Sequence, residues 1–556
     1  MVLIGAVSKT SFTLRPPLVF CGRQASRRRS VSAINTLTES DCFVGDAHGR
    51  QASTPPSTSP SDGIDGLRGP LWKTMSSKEL GIKKSMIARQ TKLVLNELKK
   101  KGHEVYLVGG CVRDLIMKRV PKDFDIITTA NLSEVKKAFL RCEIVGKRFP
   151  ICLVHVKDSI VEVSSFSTSG RYMSSYVRHI SNRPLNCDEH DYMRWRNCLG
   201  RDFTINGLMF DPYSHIVFDY MGGMEDIKKA KVRTVIPALT SFREDCARIL
   251  RAIRIAARLG FSFTRETAQC MKDLATSVLR LDKGRILMEM NYMFAYGSAE
   301  PSMRLLWKFG LLDLLLPIQA AYLVSQGFRR CDMRTNMLLV LLSNMDRLLA
   351  PDRPCHSSLW VAILAFHQAT ARVPRDPLVV ATFSLAVHNG GDMVEAIGIA
   401  RRMRNPHNQH FLELLEPHVW PVDADLVNEV GKLSSSVIAA LMSMTDDYFV
   451  SQAMARYTQA PYSDLVFIPL NVYLSVCKIF NCIEKRVREE RFVPKQDRKI
   501  NYSSLAHGDL AEVRHVFARI VFDAVFPPNL EEQDEENPPR PANKDLNDRE
   551  GHDPTS

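Results

Sequence analysis

Residues 122–130, KDFDIITTA, set two aspartates on one side of a strand that otherwise belongs in a core. Side chains alternate along a strand, so Asp123 and Asp125 face one way, roughly 6–7 Å apart, and Phe124 and Ile126 face the other. Two carboxylates held this close repel each other unless a cation lies between them. Such a strand fits a sheet whose one face packs on apolar neighbours and whose other face opens onto a charged site. The alternative is a solvated strand end with Asp123 paired to Lys122.

The preceding residues favour the charged site. HEVYLVGG is a short apolar strand that stops at Gly109 and Gly110, and CVRDLIMK then reads as a helix. Glycines at such a turn let backbone N–H groups approach a phosphate, and a helix N-terminus favours the anion. A strand, a glycine turn, a helix and a strand bearing two aspartates together read as a triphosphate-and-metal site. Mg²⁺ suits it, being a hard ion whose shell substrate phosphates complete. Two such ions about 3.5–4 Å apart can serve an attacking oxygen and a leaving pyrophosphate. Mn²⁺ could replace them.

The pattern around this unit is α/β. A helix is expected from a Ser77 cap through KELGIKKSMIARQTKLVLNELKKKG to Gly102. A helix capped by Asn131 follows the aspartate strand, and CEIVGKRF, ICLVHVKD and IVEVSSFS read as strands. Residues 168–200 are polar and aperiodic and read as a mobile loop. DFTINGLMFD leads into the hairpin-like PYSHIVFDYMGG. From about residue 241 to 525 the spacing of apolar residues is helical, with one helix over Glu244–Leu259.

Length and charge add the ends. A chain of 556 residues is long enough for about three or four domains. Residues 1–38 hold six Lys or Arg and no acid, the composition of an organelle transit peptide (chloroplast or mitochondrion), or else of a disordered basic arm. The acidic end, 529–556, reads as a disordered tail, and the two ends cancel. Residues 39–530 therefore carry the full net charge of +13, which favours a polyanionic partner such as nucleic acid. No apolar run is long enough to span a membrane. The thirteen cysteines contain no CxxC pair, so zinc-site spacing is absent, and their scatter fits a reducing compartment.

Four motifs in order carry a family resemblance: LVGGCVRDLIMKRVPKDFDIITTA, GRDFTINGLMFD, FDYMGGMEDI and FREDCARILRAIRIAARLGF. Together they resemble the bacterial-type poly(A) polymerases and the class II tRNA nucleotidyltransferases (CCA-adding enzymes) of the DNA polymerase β superfamily, over roughly residues 85–300. The resemblance implies an α+β chain: a small mixed-sheet nucleotidyltransferase head, with helices on one side, followed by an all-α neck and body. Its divisions would be a transit peptide over 1–38, a linker over 39–75, the catalytic head over 76–235, a base-recognising neck over 236–300, a helical body over 301–528 and the tail. It implies Asp123 and Asp125 as metal ligands and Glu162 as a third carboxylate. Gly109, Gly110 and Arg113 would serve the triphosphate. Arg201, Asp202 and Asn206 would bind the nucleotide; Gly200 stands where the family usually has a first arginine. Glu244, Asp245, Arg248 and Arg251 would form the base-reading stripe, with Asp245 and Arg248 as the readers; an ordinary surface ion pair between Glu244 and Arg248 is the plain alternative.

The implied reaction adds AMP from ATP to an RNA 3′-hydroxyl. The stretch Ile144-Val145-Gly146-Lys147-Arg148-Phe149, then His155-Val156, resembles the poly(A) polymerases more than the CCA-adding enzymes, whose RNA would be tRNA. A catalytically inactive RNA-binding relative is the remaining alternative. The basic cluster CIEKRVREERFVPKQDRK, 482–499, could hold an RNA backbone, or form a solvated helix face.

Overall fold

The structure is a computed structural model. It describes residues 72–527, apart from 147–149, 158, 170–174, 181–182, 185–186, 350–352, 404–405, 455–466 and 485–491. The expected transit peptide, most of the linker, the acidic tail and Lys147-Arg148-Phe149 lie outside the described residues. The described residues fall in one unit.

The head is built on eight strands: β1 (Lys73–Ser76), β2 (Val105–Val108), β3 (Asp125–Thr128), β4 (Cys142–Val145), β5 (Ile151–Val156), β6 (Ser159–Ser165), β7 (Leu208–Asp211) and β8 (Ile216–Asp219). Their order in the sheet is β1-β8-β7-β2-β3-β6-β5-β4. Only β3 and β6 pair in parallel; every other neighbouring pair is antiparallel. The sheet is therefore mixed, as expected. The final residues of the expected linker, however, form the edge strand β1, which pairs with β8.

Helices α1 (Arg89–Lys100), α2 (Gly110–Ile116) and α3 (Leu132–Ala138) cover one face. Val94, Leu98, Val112, Leu115 and Val135 pack there against Leu107, Ile126, Val154 and Val163 from the sheet. Asn131 caps α3 as the sequence suggests: its Oδ1 accepts the Glu134 N–H at 2.9 Å, and Glu134 returns a bond to the Asn131 N–H at 2.8 Å. The helix expected from Ser77 starts only at Arg89. Ser77 is instead buried in the turn that closes β1, its N–H donating to the His215 carbonyl at 2.8 Å. Gly102, at φ +85°, follows the end of α1.

Helices stand on both faces of the sheet, not one. The second face carries α4 (Phe166–Ser169) and α6 (Glu189–Leu199), with α5 (Ser175–Ile180) between them in sequence. Phe166, Trp195 and Cys198 pack there against Tyr106, Val108, Ile127, Met209 and Phe218. So much of the expected loop 168–200 is helical. Asp188 caps α6, accepting the Asp191 N–H at 2.8 Å. Arg194 then pins it to the sheet. Its guanidinium donates to the hydroxyls of Tyr220 (2.8 Å) and Tyr106 (2.9 Å) and to Asp191 (2.7 Å), and it lies 4.2 Å from the Phe218 ring centre. Replacing Arg194 with Met should cost about 2 kcal/mol, from the lost charge-assisted bonds. A urea melt that leaves the midpoint unmoved would contradict this role.

Beyond β8, α7 (Gly223–Lys228) leads to α8 (Ala238–Glu244), α9 (Ala247–Leu259), α10 (Arg265–Asp273) and α11 (Lys283–Phe294). The expected single helix over Glu244–Leu259 is broken at Asp245–Cys246. Asp245 leaves the helical region (φ −146°, ψ 98°) and accepts the Ala247 N–H at 3.1 Å, opening α9 afresh. The body is helical, with long helices over Ser357–Arg372, Asp423–Thr445, Leu470–Glu484 and Leu510–Val525 around a core that includes Trp360, Phe366, Phe383, Phe480 and Phe517. No helix among the described residues is long and apolar enough to cross a membrane.

Candidate active site

Register across the sheet brings the sequence-predicted groups into one row. Val108, the last residue of β2, pairs with Asp125, the first of β3, and Asp125 pairs with Glu162 of β6. Paired residues share a face, so Asp125 and Glu162 stand side by side next to the glycine turn at 109–110. That face is the one carrying α6, opposite α1–α3. Phe124 and Ile126 point into the α1–α3 core, as the alternation requires. Asp123 stands two residues ahead of the start of β3 and is exposed.

The carboxylates feel each other. Burial pushes Asp125 above the usual carboxylate range; Arg201 opposes it and Asp123 adds to it. Glu162 is raised as well, first by burial and then by Asp125 and Asp123. Gly109 leaves the space in front of them open. It sits at φ +78°, and a Cβ there would stand 3.1 Å from Arg201 Nη1 and 3.3 Å from Asp125 Oδ2. Arg201 follows directly on α6, so the docking of that helix is what delivers this cation to Asp125.

A second group is a buried chain of polar side chains behind the first. Arg113 gives Nε and Nη2 to Asp114 (2.9 and 2.7 Å) and Nη1 to Asn206 Oδ1 at 2.7 Å. Asn206 passes its amide hydrogen to Asp202 Oδ1 at 3.1 Å, and the Phe203 N–H also donates there at 2.8 Å. The other Asp202 oxygen meets Arg251 Nη2 of α9 at 2.7 Å. Burial alone would raise Asp202, but Arg251, Asn206, the Phe203 N–H and Arg248 outweigh it and hold the carboxyl below the usual range. The expectation that Arg113 serves the triphosphate meets a different arrangement: its guanidinium is buried and engaged in orienting Asn206.

The expected base readers lie at the α8–α9 junction. Arg248 donates to Ser241 Oγ at 2.8 Å and to the Gly200 carbonyl at 3.4 Å, and stands 3.7 Å from Glu244. The ion pair is thus present, but as one part of a set that ties α9 to the residue preceding Arg201. The connector FDYMGGMEDI folds beneath. Asp219 accepts three N–H groups, from Met221, Gly223 and Met224, at 2.9–3.1 Å. A Cβ at Gly223 would come within 2.3 Å of the Thr204 carbonyl oxygen, so only glycine lets α7 pack on the Thr204–Asn206 turn.

A divalent cation fits the donor chemistry here. Among the described residues, no three His, Cys, Asp or Glu side chains converge to hold a metal by themselves. Mg²⁺ needs only one or two carboxylates when phosphates complete its shell. Asp125, with Asp123 and Glu162 beside it, offers that set, and the like-charge strain among them is what a dication relieves.

Residues 105–233 match the family profile described as the poly A polymerase head domain. Over those residues the chain is similar to a poly A polymerase head. Residues 260–323 match a second profile, described as a probable RNA and SrmB-binding site of polymerase A. Poly(A) polymerase I of Escherichia coli O157:H7 is 32% identical over 276 residues, 48% of this chain and 58% of that one. The CCA-adding enzyme of Geobacillus stearothermophilus is 34% identical over 218 residues, 39% of this chain and 52% of that one. The chain thus spans little more than half the length of these relatives. A crystal structure of the Bacillus stearothermophilus CCA-adding enzyme with CTP superposes over 71% of this chain and 92% of that one at 22% identity, with a TM-score of 0.40. The poly A polymerase head profile ends before α8, so the α8–α9 junction lies outside it.

Sequence reasoning missed several residues that shape this head. Arg194 sits in a polar stretch and looks like a surface residue. Arg254 and Arg258 continue the spacing of Arg248 and Arg251 along α9, a signal that was there to be read. Lys122 is the plainest case: named only as the partner of Asp123 in the alternative reading, it donates to the Tyr296 hydroxyl at 2.7 Å.

Proposed function

We propose that the chain is a template-independent RNA 3′-end nucleotidyltransferase that adds AMP from ATP to an RNA 3′-hydroxyl and releases pyrophosphate. The observation carrying this reading is the row formed by the glycine turn, Asp125 and Glu162, faced by Arg201. Asp123 and Asp125, with Glu162 beside them, would hold two Mg²⁺ ions. Bound there, the ions would supply charge to the attacking oxygen and to the leaving pyrophosphate. The chain's own residues do the positioning. Gly109 and Gly110 keep the turn open to the triphosphate, and Arg201 supplies a cation beside it. Asp202 and Asn206, buried behind that row, would brace the nucleotide site through Arg113 and Arg251. Asp245 and Arg248 stand where α9 meets the residue before Arg201, and there a carboxylate and a guanidinium would meet a base edge. No covalent intermediate is required, since alignment of the 3′-hydroxyl with the α-phosphorus accounts for transfer.

CCA addition to tRNA uses the same chemistry and is the second reading, favoured by the similarity to CCA-adding enzymes. Of the stretch that favours poly(A) addition, Lys147-Arg148-Phe149 lies outside the described residues, and His155 and Val156 lie on β5. The basic cluster at 482–499 lends RNA binding less support than its composition suggests. Lys495 is spent on the buried Glu512 at 2.6 Å, and residues 492–500 form no helix. Import into a chloroplast or mitochondrion is part of the proposal and rests on composition alone.

One experiment separates the readings. The purified protein is given ATP alone or CTP alone, with a generic RNA and with a tRNA lacking its terminus. Long products from ATP on both RNAs support adenylation. Incorporation from CTP alone that stops after two nucleotides on tRNA assigns CCA addition, and no product under any condition leaves an RNA-binding protein. Gly109→Ala supplies a control on the site. At φ +78° an alanine is strained by about 1–2 kcal/mol, and its methyl displaces Arg201 or Asp125. The turnover rate should fall about 100-fold; a variant as fast as wild type would remove the turn from the site.

A further inference from the structure

We propose that Lys122 is a positioning residue: by tying the lead-in of β3 to a tyrosine pair on the neck, it fixes where the Asp123 carboxylate stands. The proposal rests on the reading of Asp123 and Asp125 as metal ligands and adds the device that holds the first of them.

Asp123 needs such a device. β3 begins at Asp125, so no ladder bond of the sheet restrains Asp123, and its side chain is exposed. Its neighbour Lys122 is anchored instead. The ammonium donates to the Tyr296 hydroxyl at 2.7 Å and lies 4.2 Å from the Tyr296 ring centre and 4.6 Å from that of Tyr292. The two rings stack at 5.6 Å with an angle of 27°. A cation over two aromatic faces, with a hydrogen bond to one of them, is a directional clamp.

The tyrosines are themselves fixed. Tyr292 lies on α11, and Arg254 of α9 stands 4.8 Å from its ring centre. Arg254 also meets Glu289 of α11 at 3.1 Å, and Arg285 meets the same buried carboxylate at 3.1 Å. The loop between α2 and β3 has a second tie to the neck, since Arg119 donates to the Arg258 carbonyl of α9 at 3.2 Å. One helix, α9, thus carries Arg248 at its start, holds Asp202 through Arg251 at its middle, and braces the Asp123 loop at its end. Head and neck must stay joined at Lys122 for Asp123 to stand beside Asp125.

The test measures metal binding directly. Free Mn²⁺ is followed by electron paramagnetic resonance during titration of wild type, Lys122→Met, Lys122→Arg and Tyr296→Phe, with a non-hydrolysable ATP analogue present. Lys122→Met keeps the apolar stem and loses the ammonium. Its Mn²⁺ affinity should fall about 10-fold, the scale set by residues that orient metal ligands. Tyr296→Phe should weaken binding less, and Lys122→Arg should recover most of it, with thermal melts of all four close together. Wild-type affinity in both Lys122→Met and Tyr296→Phe overturns the proposal. So does a loss that Lys122→Arg shares in full or that appears only with a lowered melt, because that marks a merely structural contact. A wild type that binds no Mn²⁺ overturns the metal reading itself, and the positioning role with it.

Discussion

Asp125→Asn should abolish nucleotide transfer while leaving the protein at least as stable as wild type. The two effects have one cause. Asp125 is pushed above the usual carboxylate range, chiefly by burial and also by Asp123, against the pull of Arg201 and Arg251. An acid whose folded value is raised loses stability as pH climbs from its ordinary value near 4 through the folded one. The buried carboxyl therefore costs stability above its ordinary range in the metal-free protein. Asparagine removes that cost and the like-charge strain on Glu162, and it removes a charge that a divalent cation requires. Transfer should fall about 1,000-fold, the upper range for losing one preorganised charge-stabilising group. A single-turnover assay beside a thermal melt checks both halves. Loss of activity together with loss of fold would place Asp125 in the scaffold instead of the site.

Asp202→Ala should do the opposite and damage the fold first. Asp202 is buried, and its two oxygens serve Arg251, Asn206 and the Phe203 N–H. Removing it leaves the Arg251 guanidinium facing an empty pocket and frees Asn206 from one of its two partners. Because the guanidinium keeps 35% of its side-chain surface in solvent, the loss should be about 1.5–3 kcal/mol, less than for a fully buried pair. The pH behaviour follows from the same contacts. Despite burial, the folded carboxyl is held below its ordinary range, so it contributes stability above that range, and the contribution is lost as pH falls through the folded value. Wild type should therefore weaken in acid more steeply than Asp202→Ala. Urea midpoints measured from neutral to acid pH decide it: parallel curves for the two proteins would mean that the Asp202–Arg251 pair does not form.

Much of the head was legible because its signals are local. The glycine turn between β2 and α2, the alternation through Phe124 and Ile126, and the Asn131 cap each depend on residues within a few positions of one another. The in-register pairing of Asp125 with Glu162 was only partly legible, since parallel pairing joins strands far apart in sequence. The failures are of another kind. Helix α6 was read as loop because its buried face is closed by Arg194, whose partners Tyr106 and Tyr220 lie far away along the chain. The break at Asp245 was hidden because apolar spacing runs across it; only the cap that Asp245 gives α9 reveals two helices. Lys122 looked like the natural partner of Asp123 because the two are adjacent. Its hydroxyl partner is 174 residues on, and no pattern in the sequence points there.

Extension of an RNA by the purified full chain tests the central claim most directly. A labelled oligoribonucleotide is offered with ATP and Mg²⁺, once with an ordinary 3′ end and once with a 3′-deoxy end, and pyrophosphate is measured alongside. The account predicts a ladder of added adenylates with one pyrophosphate for each, on the 3′-hydroxyl end alone, and none with Asp125→Asn. No ladder on the ordinary end, or an equal one from Asp125→Asn, would contradict it.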